Sequence, residues 1–207
     1  MKEREVLAKV YESGRLQLAW QQVKRNAGAA GIDRMTVEEF AQREEVLLTL
    51  IHDKLKSMSY RFKPARRVLI PKEGTSKKRK LGIPAVMDRI VGASMHSVLE
   101  EIYDPGFTAS NFGFRRGKSQ HQAIHHLQSL VKEGREWAVA VDLKSFFDEI
   151  PHGLILKLIR RKVADEQFVT MIARLLKAGV VIDGTFEKRP KVVPKARRSP
   201  RCSPTSS

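Results

Sequence analysis

A short apolar run that ends directly in an acidic residue constrains this chain more than any other segment. Residues 137–141 are Trp-Ala-Val-Ala-Val and follow a glycine loop, and Asp142 comes next. Such a run is typical of a strand buried on both faces of a sheet, and it predicts Asp142 at the strand tip. A carboxylate held there suits Mg²⁺ binding. It can equally be a helix cap or a loop hydrogen-bond acceptor, and the spacing leaves both roles open.

The remaining patterns predict a mixed α+β fold. Helical periodicity covers residues 2–26 (one helix, or two broken at Gly14), 36–58, 88–103, 119–133, 151–162 and 165–177. In the fourth of these helices, Ile124, Leu127, Leu130 and Val131 form the expected apolar side. Residues 65–70 predict a strand, 72–80 a basic loop or hairpin tip, and 179–186 a β-hairpin with an Asp-Gly turn.

Charge and composition indicate the class of partner. The net charge is +16, a field that attracts polyanions, and nucleic acid is the expected partner. No apolar run approaches the roughly 20 residues that a bilayer span needs, so we expect no membrane role and a cytoplasmic location. The single cysteine, Cys202, excludes a disulfide framework or a multi-cysteine zinc site within the chain. The oligomeric state is left open.

The segment 138–152 resembles motif A of the group II intron reverse transcriptases, in which an apolar strand is followed by Asp, a short pair and Phe-Phe-Asp. Further blocks resemble the same family in the same order, at residues 26–40, 60–72, 79–91 and 111–119. The resemblance spans about residues 20 to 187. It implies a right-hand polymerase with helical fingers and short β-hairpins over residues 1–130, and the start of the palm over 131–187.

The resemblance also implies roles for individual residues. Lys72 and Arg79 match basic residues that contact the triphosphate of the incoming nucleotide, although both also suit a solvated basic loop. Phe147 matches the bulky side chain that crowds the 2′ position of the sugar, and core packing is the alternative. Leu143 would line the same pocket. Arg115 and the loop from Gly113 to Ser119 match the segment that lies against template and nucleotide in the family.

The family reaction is RNA-templated synthesis of DNA from deoxynucleoside triphosphates on a DNA primer, with two Mg²⁺ ions. Asp142 would be one metal ligand, and two aspartates of a Tyr-Ala-Asp-Asp strand pair, which this chain does not contain, would complete the site. We therefore expect the 207-residue chain to be inactive alone. Binding of template or intron RNA without catalysis, as in the maturase function of the family, is the alternative.

The last twenty residues depart from the family pattern. Residues 188–207 hold seven basic residues and no acidic one, so the first 187 residues carry +9 of the net charge. Each residue of this tail has several possible codons. When triplets are read that begin at the third base of each codon, they permit Gly-Cys-Pro-Gln-Gly and then the Pro-Leu-Ser-Pro block of the family. The sequence thus predicts a frameshift near residues 187–191 and a disordered, out-of-frame tail. A basic protein that uses this tail as its nucleic-acid-binding arm is a third hypothesis.

Overall fold

A computed structural model of the chain describes residues 2–71, 74, 78–143, 146–182 and 185–187. In this part of the chain the helices are α1 (Val6–Tyr11), α2 (Ser13–Asn26), α3 (Val37–Ala41), α4 (Glu44–Lys56), α5 (Val86–Tyr103), α6 (Gln120–Lys132), α7 (Phe146–Glu149), α8 (His152–Lys162) and α9 (Glu166–Lys177). The strands are β1 (Ala65–Pro71), β2 (Lys78–Ile83), β3 (Val180–Ile182) and β4 (Thr185–Glu187). None of the described helices has both the length and the apolar composition needed to cross a bilayer.

The apolar spacing of the N-terminal helices builds one helical core. Buried residues recur at three- and four-residue intervals on α2 and α4, so each helix turns one stripe inward. The rings of Trp20 and Phe40 lie 4.4 Å apart between centroids at its centre. Phe168 and Met171 of α9 are fully buried in the same cluster. The helices on both sides of residue 130 therefore share a core, and the domain boundary expected there stays a prediction.

A capping box fixes the start of α3. Thr36 Oγ1 accepts a hydrogen bond from the Glu39 amide at 3.1 Å, and the Thr36 amide donates to Glu39 Oε2 at 2.9 Å. The helix expected over residues 36–58 is two helices, α3 and α4, which are separated by Gln42 and Arg43. The N-terminal region likewise forms two helices, but they are separated at Glu12 and not at Gly14, which lies inside α2.

Asp165 joins the first and the last helices of the core. Its Oδ1 accepts from the Phe168 amide at 3.0 Å and caps α9, while its Oδ2 accepts from the Leu7 amide at 2.8 Å at the start of α1. The Glu3 amide donates to the Lys162 carbonyl at 2.8 Å beside it. Residues 2–11 are thereby fixed against the α8–α9 junction.

One four-stranded sheet packs beside the helices, in the order β2-β1-β3-β4. β1 pairs antiparallel with β2, with Ile70 opposite Arg79, and parallel with β3, with Ala65 opposite Val180. The predicted strand at 65–70 and the antiparallel pairing of β3 with β4 are confirmed. The predicted Asp-Gly turn at 183–184 lies outside the described residues. Residues 78–80, expected in a loop or hairpin tip, are the first residues of β2.

The buried strand predicted at residues 137–141 is wrong. These residues have no regular secondary structure, and the side chain of Trp137 is 95% exposed. A strand covered on both faces needs hydrogen-bonding neighbours on each side. Among the residues described, the four strands pair with one another and none pairs with this run. The sequence pattern correctly indicates that the segment is apolar. It cannot indicate whether other strands are available to pair with it.

Helix α6 forms as predicted, but its apolar side is not buried. Ser119 and Gln122 make the capping box at its start, with the Gln122 amide donating to Ser119 Oγ at 3.2 Å. Local signals of this kind explain why the helix exists. No residue of α6 is buried, and Leu127 of the expected apolar side is 58% exposed. The region 107–143 therefore lies outside the helical core.

Candidate nucleic-acid interface

Two arginines hold the loop between α2 and α3 in place. Arg89 of α5 donates from Nη1 to the Ala27 carbonyl at 3.1 Å and from Nη2 to the Ala29 carbonyl. Arg66 of β1 donates from Nε and Nη2 to the Ala30 carbonyl at 3.2 and 2.8 Å. Burial is the main cause that lowers the pKa of Arg89 from its ordinary value. The loop is therefore fixed against both the helix and the sheet by guanidinium groups.

Gly31 lets the same loop approach the start of α5 closely. A Cβ atom at this position would lie 2.6 Å from both the Cα and the N atom of Ala85, and 2.9 Å from the carbonyl carbon of Pro84. These are backbone atoms, which cannot rotate away as the end of a side chain can. A side chain at residue 31 would thus force the loop and α5 apart.

A buried carboxylate anchors the base of the hairpin formed by β1 and β2. Asp88 in the first turn of α5 accepts from the Tyr60 hydroxyl at 2.8 Å and from the Lys63 amide at 3.0 Å. Burial raises the pKa of the Asp88 carboxyl, and the pKa of the Tyr60 hydroxyl is raised first by burial and then by the Asp88 charge. Lys63 Nζ pairs with Asp33 at 3.0 Å. The hairpin, the loop and α5 are thus one connected unit.

A cavity of about 500 Å³ opens between this loop and the sheet. It is lined by Ala30, Gly31, Ile32, Arg34, Arg66, Arg67 and Val181. Three of these lining residues are arginines. Their positive charges favour an anion that enters from outside, and a phosphate set among guanidinium groups is such an anion.

Most of the residues predicted for nucleotide binding lie away from this cavity or outside the described part. Asp142 is exposed in a segment without regular secondary structure, and Leu143 beside it is 62% exposed. Lys72 lies outside the described residues. Arg79 is in β2 and Phe147 is in α7, and both side chains lie outside the described part. Their assigned roles stay predictions.

Arg115 uses its guanidinium group inside the protein. Nε and Nη2 make a two-point contact with the Asp104 carboxylate at 2.6 and 3.0 Å. Nη1 donates to the Thr108 and Asn111 carbonyls at 2.9 and 3.1 Å. The bond from Arg115 lowers the pKa of Asp104, and the pKa of Arg115 is raised in return. In the structure Arg115 closes the loop 104–115. Its contact with template and nucleotide, which the family resemblance implies, stays a prediction.

The described residues do not fit a complete Mg²⁺ site. Mg²⁺ enzymes that transfer phosphoryl groups hold two ions with several carboxylates. Within the described residues there is no group of three or more His, Cys, Asp or Glu side chains that could hold a metal ion. Asp142 is a single candidate ligand, and one carboxylate cannot hold two ions by itself.

The family assignment comes from comparison with known proteins. The sequence pattern of the family described as reverse transcriptase (RNA-dependent DNA polymerase) matches residues 70–200, which is more than half of the chain. This chain belongs to the reverse transcriptase family. The match includes the segment around Asp142, all of β2 and the last two residues of β1, and the resemblance noted in the sequence is confirmed. The family model itself is described as an RNA-dependent DNA polymerase.

Relatives of this reverse transcriptase include intron-encoded proteins. It is 35% identical to Protein YkfC of Escherichia coli (strain K12) over 188 residues, which are 89% of this chain and 48% of that protein. It is 34% identical to the group II intron-encoded protein LtrA of Lactococcus lactis subsp. cremoris over 175 residues, 83% of this chain and 28% of LtrA. The chain thus spans less than half the length of these relatives.

A solved structure shows the same fold. The chain resembles a part of a Cas6-RT-Cas1–Cas2 complex with a TM-score of 0.57 at 16% sequence identity, covering 88% of this chain and 18% of the other. The predicted mixed α+β fold is confirmed.

Arg34, Arg67 and the Tyr60–Asp88 pair were not singled out by sequence reasoning. Arg66 and Arg67 lie in the block of residues 60–72 that resembles the family. That resemblance is the sequence feature that could have identified them as functional residues.

Proposed function

We propose that the described part of this reverse transcriptase grips a single-stranded RNA template, and that the arginine-lined cavity holds one of its phosphates. The observation that carries the proposal is the lining of that cavity by Arg34, Arg66 and Arg67. An RNA phosphate supplies acceptor oxygens with the charge that three guanidinium groups select. The net charge of +9 in residues 1–187 also supports RNA as the partner.

The RNA-binding surface serves RNA-templated DNA synthesis in the proposed full reaction. Lys72 and Arg79 would contact the triphosphate of the incoming deoxynucleotide. The strand register supports this pairing of roles. Pro71, which precedes Lys72 in the sequence, pairs with Lys78, which precedes Arg79. Leu143 and Phe147 would shape the pocket around the sugar and base, with Phe147 excluding a 2′-hydroxyl. A DNA primer and intron RNA are further proposed partners.

Asp142 is the proposed contribution of this chain to an Mg²⁺ site. Two bound Mg²⁺ ions would activate the primer hydroxyl and stabilise the departing pyrophosphate. Asp142 directly follows the apolar run that the family match covers, and its exposure leaves the carboxylate open to a ligand. Other carboxylates must join it before two ions can be held. RNA binding without catalysis is therefore the second candidate for the 207-residue chain, favoured by this incomplete ligand set.

The tail enters the proposal only as a frameshift product. Residues 188–207 lie outside the described residues, and the family match reaches residue 200. The possible codons of the tail allow Gly-Cys-Pro-Gln-Gly in a neighbouring reading frame. This supports translation out of frame after about residue 187. Sequencing the nucleotides downstream of codon 187 decides this point. A polymerase-like continuation in the neighbouring register is the expected result, and its absence would contradict the frameshift.

Replacing Arg67 tests the cavity. We expect Arg67→Gln to weaken binding of a labelled single-stranded RNA by about 5- to 10-fold near physiological salt, because one phosphate contact is lost. The slope of log affinity against log salt should fall by about 0.7, the value for one phosphate on a single strand. Fluorescence anisotropy titrations over a range of salt concentrations measure both quantities.

Arg160→Gln is the matched control for this experiment. Arg160 is already paired with Glu166, with Nε 2.8 Å from Oε1, so its charge is neutralised locally. Its replacement should leave both RNA affinity and salt slope nearly unchanged. Equal losses in the Arg67 and Arg160 variants would show non-specific electrostatics and would overturn the cavity as the phosphate site.

A further inference from the structure

Two arginines from distant parts of the chain converge on the turn that follows α4. Arg61 Nη1 donates to the Met58 and Tyr60 carbonyls at 3.1 and 3.0 Å. Arg174 lies in the last turn of α9, and its Nη1 donates to the same two carbonyls at 2.6 and 3.3 Å. Because both side chains bond the same two oxygen atoms, their guanidinium groups are direct neighbours.

The end of α4 holds these two carbonyls in position. Met58 follows the C-cap of the helix with φ 57°, a left-handed conformation that often ends helices, and its amide donates to the Leu55 carbonyl at 3.0 Å. The Tyr60 amide donates to the Lys54 carbonyl at 2.9 Å, so the chain turns back on the helix. The turn thus fixes one nitrogen atom of each arginine, and with it the place of both guanidinium groups.

No carboxylate of the described residues balances the two charges of this arginine pair. Arg15, Arg115 and Arg160 each form an ion pair with an acidic side chain, whereas Arg61 and Arg174 form none within the described part of the chain. Burial, followed by the charge of Arg61, lowers the pKa of Arg174, which agrees with two cations held side by side. Like charges at this separation repel, and an anion bound between them removes the repulsion.

Most of the donors in the arginine pair remain open to such an anion. A guanidinium group has five N–H donors, and among the described residues Arg61 and Arg174 donate through Nη1 alone. Arg61 is exposed and Arg174 is half-buried, so the pair lies at the protein surface. A phosphate has several acceptor oxygens and can bond two guanidinium groups at once.

The surrounding sequence favours a polyanion as the source of this phosphate. Residues 54–71 contain six Lys or Arg residues and no Asp or Glu. One of the six, Lys63, is paired with Asp33. Residues 167–182 add Arg174 and Lys177 and likewise contain no Asp or Glu. A surface of one sign on both sides of the pair attracts a nucleic-acid strand more strongly than an isolated ion.

We infer that Arg61 and Arg174 together hold one backbone phosphate of the RNA, at a site that shares no residue with the arginine-lined cavity. The inference rests on the proposed RNA-binding function and adds a second phosphate contact to it. Arg61 follows α4 and Arg174 lies in α9, so the bound phosphate joins segments on both sides of residue 130. A phosphate contact carries no base identity, and the site therefore binds without reading the sequence of the RNA.

Single and double substitutions in the 207-residue chain test whether the two arginines share one phosphate. The probe is the labelled single-stranded RNA, titrated over a range of salt concentrations. Arg61→Gln and Arg174→Gln should each weaken binding by about 5- to 10-fold and lower the salt slope by about 0.7. The double variant should bind within about 2-fold of either single variant, with the slope still lowered by about 0.7, because the same phosphate is already lost. Losses that multiply, with a slope lowered by about 1.4, would reveal two independent charges and overturn the inference.

Arg43→Gln is the matched control, because Arg43 is an exposed arginine at the opposite end of α4. The 13 residues of this helix place it about 20 Å from the arginine pair, at about 1.5 Å per residue. Its replacement should leave RNA affinity and salt slope nearly unchanged. A loss in Arg43→Gln equal to the loss in Arg61→Gln would show non-specific attraction and would overturn the site.

Stability and the Arg67 variant separate this inference from its alternatives. Urea denaturation shows whether Arg174→Gln weakens the turn after α4, whereas the exposed Arg61 should matter little for stability. If Arg61→Gln and Arg174→Gln keep full RNA affinity, the pair only caps α4, the inference is overturned and the proposed function stands. If both lose affinity while Arg67→Gln does not, the arginine pair is supported and the cavity is not the phosphate site. A wild-type chain that binds no RNA overturns both.

Discussion

Purified as a 207-residue polypeptide, this reverse transcriptase should give no detectable RNA-templated primer extension in the presence of Mg²⁺. The described residues offer Asp142 without a group of ligands that could hold two ions. Metal stabilisation of the transition state is worth several kcal/mol, so its loss corresponds to a decrease in rate of at least about 10³-fold relative to an intact polymerase. Extension of a labelled primer on an RNA template, resolved on a denaturing gel, measures the product.

Asp142→Asn provides the control for this prediction. Any synthesis that survives in the Asp142→Asn preparation comes from a contaminating polymerase, because that variant has lost the metal ligand proposed from the described residues. Synthesis by the wild-type chain that disappears in Asp142→Asn would contradict the prediction. It would show that the chain assembles a working metal site, from residues outside the described part or from a second copy.

Gly31→Ala should be the most damaging single substitution in the loop between α2 and α3. The added methyl group would lie 2.6 Å from the backbone of Ala85, so the loop must move away from α5. This movement would disturb the contacts of Arg89 with Ala27 and Ala29. We expect a loss of about 2–4 kcal/mol in the free energy of unfolding, in the upper range for an overpacked buried site. Urea denaturation followed by circular dichroism measures it.

Gly92→Ala is the matched control, because it introduces the same methyl group into α5 itself. A Cβ atom at residue 92 meets no atom within 4 Å. In a helix interior the change from glycine to alanine stabilises by about 0.5–1 kcal/mol. The two substitutions should thus have opposite signs. A Gly31→Ala variant as stable as the wild type would show that the loop does not lie against α5 in the folded protein.

The sequence predicted most of the local structure, because local structure depends on neighbouring residues. Helical periodicity located the ends of α5, α6, α8 and α9 within two residues. β1 and the β3–β4 hairpin followed from β-branched runs and turn residues. The family resemblance, carried by collinear motifs, was confirmed by the match over residues 70–200.

Contacts between distant segments could not be predicted in this way. The apolar run at 137–141 has the composition of a buried strand, but burial depends on partner strands, and none pairs with it among the described residues. Arg115 was assigned to nucleotide contact because its position matched a motif, whereas its partner Asp104 lies eleven residues earlier and gave no signal. The cavity around Arg67 joins residues near 30, 67 and 181, which no local pattern connects.

The most direct test of the RNA-binding account compares the full chain with a version that ends at residue 187. Anisotropy titrations with single-stranded RNA at several salt concentrations give affinity and salt slope for both. If RNA is bound at the arginine-lined cavity, the shortened chain keeps most of its affinity and loses only a sequence-independent electrostatic part. Loss of nearly all binding on removal of residues 188–207 would contradict the account and would identify the basic tail as the RNA-binding element.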